Sequence, residues 1–217
     1  MPTLFRLDAS IRTEGSVTRA VADTLEQSLA ADGPLEIVRR DVGRQPLDGA
    51  LWHNAVEAGW VPAEQRSEDQ ARAVATAAVL ADELAAADVV VIASPMYNYG
   101  VSQHFKTWAD LLLTDPRFAK GESAVAGRPG VFVTARGGGY GPGTPREGWD
   151  HGTAWIERLL RDIWQLDLTT IDVELTLADV NPAMAELRDL AAQKLAEAHD
   201  RAAGHGDGLA QQWRSAA

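Results

Sequence analysis

Apolar positions along the chain alternate between short runs and longer stretches at helical spacing. The clearest run is Val89-Val90-Val91-Ile92-Ala93, five apolar residues without alternation, which predicts a strand covered on both faces of a buried parallel sheet. Thr3 to Asp8 predicts an earlier strand, and the helical spacing of Val17, Ala20, Val21, Leu25, Ser28 and Leu29 predicts a helix to Ala31, stopped by Asp32-Gly33-Pro34. Leu35 to Asp41 reads as a second strand, alternating enough to suggest a sheet edge. Gly43, Pro46, Gly49, Gly59 and Pro62 then punctuate a surface excursion expected to hold one helical turn.

An alanine-rich helix is predicted from Ser67 to Ala87, leading directly into the central run. Beyond it, a helix from about Val101 to Leu113 turns Phe105, Trp108, Leu111 and Leu112 inward, and Thr114 to Arg128 reads as a loop. Gly130 to Ala135 is a further buried strand, Thr153 to Trp164 a helix, and Leu168 to Leu177 holds the last strand. Asn181-Pro182 starts a final helix expected to end near Ala203, before a glycine-containing tail. Strands alternating with helices imply an α/β domain, a doubly wound parallel five-stranded sheet in the flavodoxin-like order 2-1-3-4-5 with helices on both faces. Residues 1–203 are expected to form this single domain and 204–217 a C-terminal tail.

Composition narrows the function classes. A net charge of −11 argues against nucleic acid and anionic membranes as partners, because both select clustered Lys and Arg. The absence of cysteine excludes disulfides, thiolate metal sites and cysteine nucleophiles. No window holds the roughly 20 apolar residues a spanning helix needs, and the first residues lack the pattern of a secretory signal. A soluble cytoplasmic protein is the expectation. Neither His-x-x-x-His nor Asp-x-Asp occurs, so no metal site is expected; His53 and His205 have no ligand-like spacing, and His104, one turn into a helix with an apolar opposite face, reads as a surface or dimer contact.

Three loops leave the carboxyl ends of predicted strands, where ligands bind in open α/β sheets. Ser94-Pro95-Met96-Tyr97-Asn98-Tyr99-Gly100 offers flat side chains and backbone donors suited to a flat, partly polar ring such as an isoalloxazine. The same loop also reads as a turn whose aromatics cap the core. Ser10, Ser16 and Thr18 precede a helix, where free N–H groups make a phosphate site, although plain N-caps have the same residue types. Arg12 adds a charge there or faces solvent. Arg136-Gly137-Gly138-Gly139-Tyr140-Gly141-Pro142-Gly143 cannot continue regular structure and brings backbone amides close to a ligand. No Gly-x-Gly-x-x-Gly or Walker lysine is present in the first loop, which favours a mononucleotide over a dinucleotide fold.

Ser10 with Ser16-Val17-Thr18, Pro95-Met96-Tyr97-Asn98-Tyr99, and Thr134-Ala135-Arg136-Gly137-Gly138 together resemble the FMN-dependent NADH-azoreductases, relatives of the NAD(P)H:quinone oxidoreductases. The likeness spans nearly the whole chain, and its most specific part is the Pro-Met-Tyr-Asn-aromatic string. The resemblance implies a homodimer with one FMN per subunit at the interface and NADH or NADPH as electron donor. It places Ser10, Ser16, Val17 and Thr18 on the phosphate, Met96, Tyr97, Asn98 and Tyr99 along the isoalloxazine, and Ala135, Arg136, Gly137 and Gly138 at its pyrimidine end. The family often has serine where Ala135 stands and leucine where Phe105 stands, and its Gly-Phe-x-Gly stretch is absent around Trp164 and Leu166.

The resemblance further implies a ping-pong, two-electron reduction of quinones, and of azo compounds as further acceptors, with hydride passing through flavin N5. Tyr99, Phe118 and Trp164 are candidates for the acceptor wall, with core or interface packing as the alternative for each. Tyr140 and His151 are candidate proton donors or structural residues, no catalytic side chain being certain. A flavodoxin-type electron carrier, or an FMN enzyme with one dedicated biosynthetic substrate, shares these features. A hydrolase does not fit: there is no Gly-x-Ser-x-Gly elbow and no cysteine nucleophile.

Overall fold

The computed structural model describes residues 1–31, 33–119, 121 and 123–216, so Asp32 in the expected helix stop lies outside the described residues. Five strands, β1 (Thr3–Asp8), β2 (Glu36–Asp41), β3 (Val89–Ala93), β4 (Pro129–Ala135) and β5 (Asp167–Val173), pair in parallel in the order β2-β1-β3-β4-β5. All five residues of β3 are buried, as an unbroken apolar run flanked by two strands and covered on both faces requires.

Successive side chains of each strand feed opposite cores. Phe5, Leu7, Val90, Ile92 and Phe132 join one cluster, covered by α3 (Glu68–Ala85) and α4 (Gln103–Leu112). Leu4, Val89, Val91, Val131 and Val133 join the other, beneath α1 (Val17–Ala30) and α7 (Arg188–Ala216). In α4, Phe105, Trp108, Leu111 and Leu112 are buried, each side chain contributing about 1.5–3 kcal/mol by leaving water. Arg6 and Asp8 also face the α1 side. Arg6 donates to Asp23 at 2.6 Å and to Glu26 at 3.0 Å, so a charged layer sits under the helix where apolar packing would be usual.

Several boundaries differ from the sequence expectation. The excursion after β2 holds a nine-residue helix, α2 (Ala50–Ala58), rather than one turn, because Gly49 and Gly59 flank it instead of interrupting it. The loop after α4 includes a short helix, α5 (Pro116–Ala119). Beyond α6 (Thr153–Glu157) the helix widens into a π-helical segment, Arg158–Ile163. The last strand ends at Val173, and the chain from Leu175 to Leu177 folds back onto the glycine loop, donating from the 175, 176 and 177 N–H groups to the carbonyls of Gly138, Arg136 and Gly137.

The expected tail is helical instead. α7 continues through Gly204, Gly206 and Gly208 to Ala216. A Cβ on Gly206 would lie 2.6 Å from Leu25 O and 2.7 Å from Ser28 Cβ, so this glycine permits close approach of α7 to α1. Among the described residues no helix is long and apolar enough to cross a membrane.

Candidate functional site

Backbone hydrogen bonds at the carboxyl end of the sheet bring the three predicted loops together. Ala9 N–H donates to Ala93 O at 2.8 Å, Ser94 N–H to Val133 O at 3.0 Å, and Met96 N–H to Ala135 O at 3.0 Å. They border a cleft of about 150 Å³, lined by Ser10, Arg12, Ser16, Val17, Thr18, Met96, Tyr97, Ala135 and Gly137 from the predicted set.

The first wall is the N-terminus of α1. Ser16 is its N-cap, extended at φ −79° and ψ 115°, yet its side chain makes no capping bond, and the first turn holds no acidic residue. Its Oγ instead lies 3.3 Å from Thr18 Oγ1. By contrast, α3 satisfies its own start with a Ser67–Gln70 capping box and carries Glu68 and Asp69 in its first turn. A helix start with hydroxyls, open N–H groups and no carboxylate is arranged for an external anion. Ser10 and Thr18 are buried, whereas Arg12 is exposed.

The second wall is a tight reversal, with Tyr97 and Gly100 exchanging backbone hydrogen bonds of 3.2 and 2.9 Å. Asn98 at φ 49° and Tyr99 at φ 67° form the type I′ turn that this closure demands. Asparagine tolerates that backbone, but a tyrosine there is strained by about 1–3 kcal/mol, the kind of cost that concentrates at functional sites. Tyr97 reaches back, its hydroxyl 3.2 Å from Ser10 Oγ and accepting from Ile11 N–H at 3.1 Å. Asn98 and Tyr99 are exposed and Met96 is half-buried.

The third wall is the glycine loop. At Gly137 the chain passes close to Leu177: a Cβ would stand 2.6 Å from Leu177 Cδ1, so any side chain here would push that leucine aside. The guanidinium of Arg136 is turned away into ion pairs with Asp150 at 2.9 Å and Asp172 at 2.5 Å, so only its backbone belongs to the loop. Burial pushes the Asp150 carboxyl up, but hydrogen bonds from Thr153, Gly152 N–H and Arg136 outweigh it and hold the group below the usual carboxylate range. Tyr140 is half-buried, its N–H bound to Glu174 at 2.8 Å and its ring 6.4 Å from that of Tyr99. His151 is exposed, and its backbone N–H donates to Tyr99 O at 2.9 Å.

Two predicted wall residues are elsewhere. Phe118 and Trp164 are buried in the core, with ring centroids 5.7 Å apart, and Trp164 packs edge-on against Trp108 at 5.4 Å. The π-helical segment and α5 carry them beneath α4, so they pack the core and line no cleft. Beside Tyr99 the structure instead brings Trp149, 5.6 Å away at 73°, with the Arg146 guanidinium 6.0 Å from the same ring. Sequence reasoning missed both, and also Thr176 and Leu177, which border the cleft. Trp149 and Arg146 were detectable only as bulky residues in an unusually long connection between β4 and α6.

A larger cleft, about 430 Å³, lies behind the first loop and includes Arg6, Asp8, Arg19, Asp41 and Arg44. Its charges are already paired, Arg6 with Asp8 at 3.0 Å and Arg19 with Asp41 at 2.6 Å. Arg19 also donates to Ser10 O at 2.8 Å, bracing the first loop from behind. Size alone would favour this cleft. Chemistry favours the smaller one, where an uncapped helix start with hydroxyls and no carboxylate faces Met96 and Tyr97.

A family model described as flavodoxin-like fold matches residues 2–198. The chain is 40% identical over 202 residues to an FMN-dependent NADH:quinone oxidoreductase of Frankia casuarinae, covering 91% of this chain and 95% of that one. The chain belongs to this flavodoxin-like family. A Streptomyces coelicolor relative of the same name is 37% identical, over 93% of this chain and 92% of its own length. In the solved structures, an azoreductase from Bacillus anthracis matches at TM-score 0.76 and 18% identity, covering 96% of this chain and all of that one. An FMN-dependent NADH-azoreductase of that species, in complex with FMN, matches at TM-score 0.76 and 14% identity over 97% of this chain and all of its own. At those identities the likeness is one of fold.

Proposed function

We propose that this protein is an FMN-dependent NAD(P)H oxidoreductase that reduces quinones, and azo compounds as further acceptors, by two electrons. The observation that carries the reading is the start of α1: hydroxyls of Ser10, Ser16 and Thr18, an uncapped N-terminus and no carboxylate, facing a cleft whose other walls are aromatic and glycine-rich. That fits a phosphate at one end and a flat ring at the other. The relatives' names support the same cofactor and donor.

The α1 N–H groups and hydroxyls hold the phosphate. Tyr97 ties that loop to the ring turn, Met96 to Tyr99 present backbone and flat surface to the isoalloxazine, and Ala135 to Gly138 approach its pyrimidine end. FMN held there by Ser10, Ser16, Thr18 and the α1 N–H groups would supply the chemistry of a ping-pong hydride transfer through flavin N5, from NADH or NADPH to the acceptor. Tyr99, Tyr140 and Trp149 provide the aromatic surface on which donor and acceptor stack in turn. The protein works as a cytoplasmic homodimer with the active site at the interface. Trp60, 85% exposed, with Trp52 and Val56 on α2, supplies an apolar surface for the second subunit.

A pure electron carrier fits less well, because the long connection after β4 sets Trp149 and Arg146 against the Tyr99 ring, a surface that a carrier does not need. The test is an anaerobic titration of FMN-reconstituted protein. Flavin absorbance that bleaches with one equivalent of NADH and returns with benzoquinone is the expected result, whereas bound flavin inert to both nicotinamides would overturn it.

A further inference from the structure

The connection after β4 runs against the turn at Asn98 and Tyr99, and two of its side chains, Arg146 and Trp149, meet the Tyr99 ring there. Arg146 Cζ stands 6.0 Å from the centre of the Tyr99 ring, and its Nη1 lies 3.0 Å from where a Cβ on Gly138 would be. The cation is therefore fixed between the ring turn and the glycine loop. Nearby carboxylates are engaged otherwise: Glu147 accepts from Gly143 N–H at 2.8 Å, Asp150 from Arg136 at 2.9 Å, and Glu174 from Tyr140 N–H at 2.8 Å. Among the described residues none forms an ion pair with Arg146. Trp149, 52% exposed, meets Tyr99, 39% exposed, at a centroid distance of 5.6 Å.

We propose that Arg146 and Trp149 determine acceptor specificity, favouring planar aromatic acceptors that carry a sulfonate or carboxylate on the ring. The proposal rests on the flavin reading above. An exposed aromatic corner takes a planar molecule by its face or edge. A guanidinium beside it presents paired donors that match two oxygens of one carboxylate or sulfonate. The chain as a whole, at −11, repels anions, so an unpaired cation at the mouth changes which acceptors can settle there. Its short distance from the Tyr99 ring suits a charge attached directly to the stacked ring. The phosphates of a nicotinamide dinucleotide are separated from its ring by a ribose, so the arrangement addresses acceptor rather than donor.

The test uses full-length protein reconstituted with FMN, and calorimetric titration with naphthalene-2-sulfonate and its neutral analogue naphthalene-2-sulfonamide. Neither is reducible, so binding is read apart from turnover. We expect the sulfonate to bind roughly two- to fivefold more tightly, as for a partly exposed charge pair. Arg146→Gln should remove that preference and Arg146→Lys retain part of it. Trp149→Ala should weaken both ligands, and high salt should shrink the preference. Arg158→Gln, which deletes the same charge from a remote surface pair with Asp162, should leave the ratio unchanged. In steady state, Arg146→Gln should lower the ratio of kcat/KM for a sulfonated over a plain naphthoquinone, with the change in KM. Equal binding of the two ligands, or a preference that survives Arg146→Gln, would overturn the assignment, as would an effect confined to the KM for NADH. Failure of the wild type to retain FMN is read separately from absorbance and overturns the flavin reading itself.

Discussion

The Tyr97 hydroxyl lies 3.2 Å from Ser10 Oγ, joining two loops 87 residues apart. With the bond it accepts from Ile11 N–H at 3.1 Å, it makes the loop after β1 and the turn at Asn98 and Tyr99 one unit. Tyr97→Phe removes both bonds and keeps the ring. At about 1 kcal/mol per hydrogen bond, the FMN dissociation constant should rise roughly five- to thirtyfold. Quenching of FMN fluorescence on titration measures it, and an unchanged constant would mean that the loops are held independently.

Behind the same loop, a Cβ on Gly43 would stand 2.0 Å from Ser10 O, backbone against backbone. Gly43→Ala must displace the loop after β1, so it should lower stability by about 3 kcal/mol and, on the proposed function, weaken FMN binding. Gly49→Ala, with nothing within 4 Å and φ −60°, should stay within about 0.5 kcal/mol. Urea unfolding of the two variants separates the steric account from a general intolerance of glycine replacement.

The sheet order and the meeting of the three predicted loops at one end of the sheet were legible because hydrophobic periodicity and glycine punctuation report directly on backbone and burial. What failed depended on tertiary context. Gly206 reads as a helix breaker, yet it is helical because α1 passes too close for a side chain. Arg6 and Arg19 gave no sequence signal, since their burial depends on Asp8, Asp23 and Asp41 arriving from three elements. The turn at Asn98 and Tyr99 carried one usable clue, asparagine's tolerance of positive φ.

Acid should loosen the site before it unfolds the molecule. Asp41 and Asp150 both have carboxyl groups held below their ordinary value: burial opposes ionisation in each, but hydrogen bonds from Arg19 and Arg44 N–H, and from Thr153, Gly152 N–H and Arg136, prevail. A depressed folded-state pKa adds stability that is complete above the unfolded carboxyl value near 4 and fades as pH falls through the folded value. The thermal midpoint of the FMN-free protein should therefore be flat from pH 7 to about 5 and decline below about 4. Asp150→Asn should lower the midpoint at neutral pH and flatten that decline. A decline unaltered in Asp150→Asn would assign the acid sensitivity to other carboxylates.

Phe118 and Tyr99 separate packing from substrate contact. Phe118 is 2% exposed and locked against Trp164, so Phe118→Leu should cost about 1–2 kcal/mol of stability while the KM for a quinone stays unchanged. Tyr99 stands at the mouth with its backbone strained at φ 67°, so Tyr99→Gly relieves strain in the fold and removes the surface on which Trp149 and an acceptor pack. That variant should hold or gain stability and lose acceptor binding, raising the KM for quinone several-fold. Opposite signs in the two variants, read by thermal melting and steady-state kinetics on the same preparations, are required if the acceptor wall is built from the ring turn and the connection after β4. A rise in KM for Phe118→Leu would return the wall to the core side of the sheet.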